Sequence, residues 1–363
     1  MLGERLRIAR KKAGLSLREL AAILDPPISA QAISKYEANE MMPSSRVLVG
    51  LGKALHVSLD FLMSDEVQEL AGVEFRKHSG ASARDRARVE AVVIEALENY
   101  LAVEDILDLP PPEDAFAEVR HDHVASYDKA EDLADRLRAE WELGTDPVPS
   151  MTGLLEEKGI KVIEADFPDK VSGMTCIVKR SGNRPPIEAI VISTSMNVER
   201  KRFTLAHELA HRVVKGTSGP DVKLETAMNR FAGAFLVPAE HLRKEVGSER
   251  QGIAYHEIIG LKQFYGVSAT ALLMRLRDVG ILSEAVIVYA FRTYAKDWRT
   301  KEPEPITDDI GIGAFEHPKR LEGLVYRALA EQLISPVRAA QLLKRPLAEI
   351  ERGIRGPRDQ WRM

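Results

Sequence analysis

Cysteine is almost absent from this chain of 363 residues: Cys176 is its single example. One thiol cannot close an internal disulfide or build a thiolate cage, so a disulfide scaffold and a cysteine-held metal are both excluded and a reducing compartment is expected. Any bound metal must then sit on His, Asp or Glu. Also missing is an apolar run approaching the ~20 residues that a membrane helix requires. The start, MLGERLRIARKK, is basic but lacks the apolar stretch that would follow in a secretory signal. A soluble, cytoplasmic protein with no membrane partner is expected. No repeat of fixed period and no low-complexity tract interrupts the chain.

What is present is ordinary globular composition, 45% hydrophobic and 29% charged, at a length that suggests roughly two or three domains. Residues 1–63 hold nine Lys/Arg against six Asp/Glu, a local +3, which leaves −7 for the remainder of a chain whose net charge is −4. The basic part reads as five short helices. Gly14 suits a left-handed position after the first, and Ser16 with Glu19 forms an S-x-x-E capping box for the second. Leu17, Leu20, Ala21 and Leu24, then Leu48, Leu51 and Leu55, recur at helical spacing.

Residues 64–83 read as a linker with a charged start and a small-residue end. Amphipathic helices are expected over about 84–106 and 113–143, separated by LPPPED, whose three prolines forbid continuation. KVIEAD, VSGMTCIVK and IEAIVIST read as strands of a small sheet. Helices resume over about 197–237, 252–280 and 316–355, with Ser335 and Pro336 as N-cap and first residue of one of them. The expected class is α+β, mostly α. The expected divisions are 1–66, a helical linker region 67–139, a mixed domain 140–283 and a helical C-terminal region 284–363.

FTLAHELAHRVV, residues 203–214, carries the chemistry. Positions i and i+4 stack on one helix face, so His207 and His211 can aim imidazole nitrogens at one ion. Glu208 is rotated by about 100° and is better placed for a water beside that ion than for ligation. Zinc with three protein ligands keeps an open position, lowers the pKa of a bound water toward ~7 and polarises a carbonyl, while a glutamate moves the proton. Downstream, LETAMNRFAGAFLVP offers Glu225 and then Asn229 on one face of a helix, with Ala227, Phe231, Ala234 and Phe235 on the inward face.

RFTLAHELAH followed by ETAMNRFAGAFLVP resembles the ImmA/IrrE metallopeptidases, and VSATALLMRLRDVGIL is similar to the helix that usually closes that domain; the likeness covers about 140–282. It implies a zincin-like domain with Zn²⁺ on His207, His211 and Glu225, and Glu208 as general base. Ala210 departs from the glycine that many members carry, a small-for-small change. The family's oxyanion-stabilising residue has no clear counterpart. His241, Tyr255 and His256 lie downstream but read as surface or packing residues.

Residues 1–63 resemble the XRE class of helix-turn-helix repressors, which implies binding to double-stranded DNA. The helix over 16–24 would cross the backbone and that over 29–37 would enter the major groove, presenting Ser29, Ala30, Gln31, Ser34 and Lys35. Gln31 can pair with adenine, and Lys35 can reach guanine or phosphate. Arg7, Arg10, Lys11 and Lys12 would position the domain on phosphates. Leu17, where repressors often carry glutamine, and the longer turn DPPIS are departures. A protein-interaction role is the alternative for such a domain.

Other features are weaker. HDH at 121–123 suits a strand-based metal site, yet its surroundings read as helix, so a solvated surface is expected. Cys176 reads as packing. ISPVRAAQLLKRPLAEIERGIRG resembles a small helix-turn-helix or a dimerisation element. Together these features suggest a DNA-tethered zinc endopeptidase that cuts a repressor or antitoxin, or another copy of itself, with a homodimer as a further partner state. The alternative is a regulator or antitoxin that uses a peptidase-like domain as a non-proteolytic sensor.

Overall fold

A computed structural model describes residues 2–57, 59–63, 67–71, 83–117, 119, 122–166, 172–180, 184–309 and 311–355. The chain is α+β and mostly helical, with seventeen helices and two small sheets among these residues. The N-terminal helices are α1 (Leu2–Lys12), α2 (Leu17–Ile23), α3 (Ala30–Glu37), α4 (Ser45–Leu55) and α5 (Leu59–Met63). Their boundaries are set by side-chain chemistry. Gly14 adopts φ 68°, the Ser16–Glu19 capping box forms, and Ser29 and Ser44 cap α3 and α4. Leu6, Leu20, Ile33, Leu51 and Leu62 are fully buried between them.

The stretch expected to be a linker supplies a strand instead. β1 (Val67–Ala71) pairs antiparallel with a strand of the central sheet, from Val67 opposite Arg180 to Ala71 opposite Ile177. α6 (Ala83–Ile106) follows and packs against both α1 and the sheet. Buried ion pairs fasten it to the N-terminal helices. Arg5 meets Glu98 at 2.5 Å and donates to the Val67 carbonyl at 2.6 Å, and Lys12 pairs with Glu95.

The helix expected over 113–143 begins only at Tyr127. β2 (Asp122–Val124) precedes α7 (Tyr127–Glu140), and the Ser126 hydroxyl accepts from Lys129 N as the cap that fixes this start. Asp122 and His123 of HDH therefore lie on a strand and not in a helix; His123 is exposed, and His121 falls outside the described residues. α8 (Met151–Glu157) leads to β3 (Lys161–Ala165), β4 (Gly173–Arg180) and β5 (Ile187–Ser193), which form a sheet of order β1-β4-β5-β3. β4 is antiparallel to β5, and β3 is parallel to it. Alternation along β5 serves two cores. Ile187, Ala189 and Val191 face the core shared with α6 and the N-terminal helices, whereas Ile190 and Ile192 face the one around α9 (Val198–Val213). β6 (Val214–Thr217) then pairs in parallel with β2.

The remaining helices are α10 (Leu224–Leu236), α11 (Ala239–Val246), α12 (Tyr255–Tyr265), α13 (Ala269–Asp278), α14 (Glu284–Arg292), α15 (Arg320–Ala330), α16 (Pro336–Leu343) and α17 (Leu347–Arg355). Ser335 and Pro336 open α16 as N-cap and first residue. Val325, Ala328, Leu342 and Ile350 of the last three helices bury against Val103 of α6 and Leu107 just after it. No helix among the described residues is long and apolar enough to cross a membrane.

Candidate metal centre and DNA-facing surface

α9 starts where the Asn197 side chain accepts from Arg200 N and runs between the sheet and α10, so almost every side is covered. Leu205, Ala206, Leu209, Ala210 and Val213 are fully buried. Ala210 lies in this contact, where a small side chain is required. Charged residues buried in such a helix need partners, and four of them form ion pairs. Glu199 meets Lys262 at 2.7 Å, Lys201 meets Glu164 at 2.6 Å, Arg212 meets Glu188 at 2.6 Å, and Arg202 pairs with Glu316. Burial pushes the Arg202 pKa down, opposed by the Glu316 carboxylate. Arg202 also donates to the carbonyls of Val148 (2.6 Å) and Gly266 (2.9 Å). Gly266 is required there: its φ is +64°, and a Cβ would lie 2.5 Å from Arg202 Nε.

One turn apart on this fixed helix, His207 and His211 bring their Nε2 atoms within 3.2 Å. Glu225, in the first turn of α10, places its carboxylate 3.5 Å from His207 Nε2 and 3.9 Å from His211 Nε2. Donors held at the 2.0–2.1 Å usual for zinc in tetrahedral geometry stand roughly 3.3–3.4 Å apart, so the set is the right size for that ion. His207 Nδ1 lies 2.9 Å from Asn229 Oδ1. With that oxygen as acceptor, Nδ1 carries the hydrogen and Nε2 keeps its lone pair for the site. His207 is fully buried, the His211 side chain is 9% exposed and that of Glu225 is 53% exposed, so the trio opens on one side. Among the described residues these three form the one His/Cys/Asp/Glu group that could hold a metal.

Glu208 is 2% exposed and lies against the start of β4. Gly173 makes that approach possible: a Cβ there would stand 2.8 Å from Thr204 Cγ2 and 3.5 Å from Glu208 Cγ. The other downstream candidates are engaged elsewhere. His241 Nδ1 lies 2.8 Å from the Tyr265 hydroxyl and its ring stacks on Phe264, Tyr255 donates to Glu304, and His256 is exposed. Cys176 faces the α6 side of the sheet, where burial pushes its thiol up to about 12. Sequence reasoning placed Asn229 on the helix but gave it no role, and it missed the buried anchors Glu199, Lys201 and Arg202. Charged residues inside an otherwise apolar helix were the available signal for those anchors.

On α3, Ser29 caps the helix through Ala32 N, and Ile33 and Tyr36 point inward. Gln31, Ser34 and Lys35 are exposed on the opposite side, and Ala30 is partly so. Arg10 has a different part from the phosphate contact expected of it. Its guanidinium grips Glu37 at 2.6 and 2.8 Å and the Leu15 carbonyl at 2.8 Å, tying α1 to α3. Lys12 is likewise drawn to Glu95 on α6. Arg7 is exposed and Lys11 is partly so.

Comparison with protein families gives two matches. Residues 6–62 match the helix-turn-helix model, which supports DNA binding, and residues 155–277 match the model described as IrrE N-terminal-like domain, which supports a peptidase-like domain. No curated protein matched the chain. The second match contains the metal trio, Glu208 and Asn229, and the first contains α2 and α3. The chain thus joins a helix-turn-helix domain of the XRE type to an IrrE N-terminal-like domain.

Proposed function

We propose that this protein is a DNA-binding zinc metalloendopeptidase that cleaves a repressor or antitoxin partner, or a second copy of itself, and so controls transcription. The observation that carries the reading is the convergence of His207, His211 and Glu225 on one small volume, with the buried carboxylate of Glu208 on the next residue of the same helix. His207, His211 and Glu225 would hold a zinc ion, which would supply Lewis acidity toward a peptide carbonyl and toward a water. Asn229 holds the His207 ring in the ligating tautomer. Glu208 accepts the proton of the attacking water and delivers it to the departing amine. Exposed Gln31, Ser34 and Lys35 supply the base-facing side of the DNA contact.

Replacing Glu208 by Gln tests the reading, because it preserves volume and the three ligands while removing the proton acceptor. Partner cleavage should fall by ~10²–10⁴-fold, and repression should persist under inducing conditions. Fragmentation on gels and reporter induction in cells are compared with wild type, with zinc measured in both proteins. Unchanged induction in the zinc-bearing variant favours the other role, a metal-stabilised sensor with no proteolysis.

A further inference from the structure

A cavity of about 810 Å³ opens beside the metal trio, within the range of sites that enclose a ligand group. It meets the centre through Asn229, the partner of His207, and through Thr226, the neighbour of Glu225. Phe203, Met274 and Trp298 give it apolar walls.

Its polar character is anion-seeking. Two helices begin on it: the N-caps of α9 (Asn197) and α13 (Ser268) both line it, so the positive ends of two helix dipoles converge. The Thr270 hydroxyl in the first turn of α13 is buried, with no hydrogen-bond partner among the described residues. Its carboxylates are already matched by cations. Glu199 and Glu302 share Lys262, and Asp278 holds Arg230 and Arg277. Arg275 is matched by Glu131. Two lining arginines meet no carboxylate among the described residues. Arg200 donates to Ser172 Oγ at 3.1 Å, and the Arg299 guanidinium lies over the Phe291 ring. Both are exposed.

We propose that this cavity receives an acidic side chain of the substrate, seating its carboxylate between Arg200 and Arg299 at the starts of α9 and α13, and thereby selects which peptides are cut. The assignment rests on the peptidase reading above. Arginine and helix N-termini both favour carboxylate oxygens, and the apolar walls accommodate the methylenes that carry them.

The test uses full-length, zinc-loaded Glu208→Gln protein, which binds without turnover. Fluorescein-labelled decapeptides, randomised except at one position fixed as Glu, Gln, Lys or Leu, are titrated by anisotropy with the fixed position scanned along the peptide. At one position Glu should bind about tenfold more tightly than Gln, and Lys more weakly than either. That preference should disappear in Arg200→Gln and Arg299→Gln backgrounds whose melting and zinc content match the parent. No preference for Glu at any position, or a preference that survives both arginine changes, overturns the proposal. Acetohydroxamate, which needs only the metal, separates the two readings. If it binds while the acidic preference is absent, the cavity assignment alone fails; if zinc and acetohydroxamate binding are both absent, the peptidase reading falls and takes this one with it. Stabilisation by succinate or inorganic phosphate that depends on both arginines, without a peptide preference, overturns the substrate assignment in favour of a free anion.

Discussion

Replacing Glu316 by Gln should destabilise the IrrE N-terminal-like domain although residue 316 lies outside the family match. Arg202 and Glu316 are both completely buried, and the same carboxylate accepts from Met151 N (2.7 Å) and Thr152 N (3.0 Å) at the start of α8. Removing its charge leaves the Arg202 guanidinium buried with only carbonyl acceptors. Breaking a buried pair by taking away one partner costs about 3–5 kcal/mol. The carbonyls of Val148 and Gly266 still accept from Arg202, and a Gln oxygen can keep one of the α8 contacts, so the lower part of that range, about 3–4 kcal/mol, is expected. At about 2–4 °C per kcal/mol for a unit of this size, the melting temperature should fall by roughly 6–16 °C. Melting followed by circular dichroism measures this directly. The double change Arg202→Met with Glu316→Leu removes both charges and should be less destabilised than Glu316→Gln alone. A loss below about 2 °C in the single variant, or a double variant as unstable as the sum of both singles, would refute the view that the C-terminal segment anchors the α9 helix.

Four further outcomes follow from the same contacts. The protein should carry about one zinc per chain by metal analysis, and His211→Ala should empty the site; full retention would move the ligands elsewhere. Asn229→Ala should keep the fold but weaken zinc roughly 10–100-fold in competition with a chelator, because the His207 ring loses the acceptor that orients it. In salt-dependent DNA binding, Gln31→Ala should lose about 1–3 kcal/mol of operator preference and Lys11→Ala should weaken all sequences alike, whereas Arg10→Ala should chiefly lower the melting temperature of the N-terminal helices. Burial pushes the Glu95 carboxyl up, but Lys12 and Lys344 outweigh it and hold the pKa below the ordinary 4.5. Its contribution is therefore complete above about 4.5 and is lost as pH falls through the lower folded value. Acid titration of melting should show this loss in wild type and not in Glu95→Gln; identical acid profiles would remove the group from that role.

Much of the fold and of the metal trio was legible in local signals along the chain. Helical periodicity together with Ser16, Ser335 and Gly14 located helix ends, because caps act within one turn. The i,i+4 spacing placed His207 and His211 on one face, and the structure brings Glu225 to them. What escaped was set by distant partners. β1 and β2 are five and three residues long, too short for a period of two to stand out, and each exists because a strand far along the chain pairs with it. Arg10 read as a DNA contact because its charge was visible and Glu37, 27 positions away, was not an evident partner. The role of Glu316 was hidden for the same reason, 114 positions from Arg202.

α6 gives these distant contacts a common meaning. It packs on α1 by one face, on the sheet by another, and on α15 and α16 toward its far end. Glu95 meets Lys12 from the N-terminal domain and Lys344 from the turn after α16, so one carboxylate joins both ends of the chain. Detaching the N-terminal helices would also break the Arg5–Glu98 pair, whose side chains are 3% and 8% exposed. The helix-turn-helix domain and α9 thus pack on opposite faces of one sheet, and on the proposed function a partner within reach of the His207, His211 and Glu225 trio is held at a set distance from α3. On the proposed function, target choice then depends on where a protein stands relative to the operator as well as on its sequence.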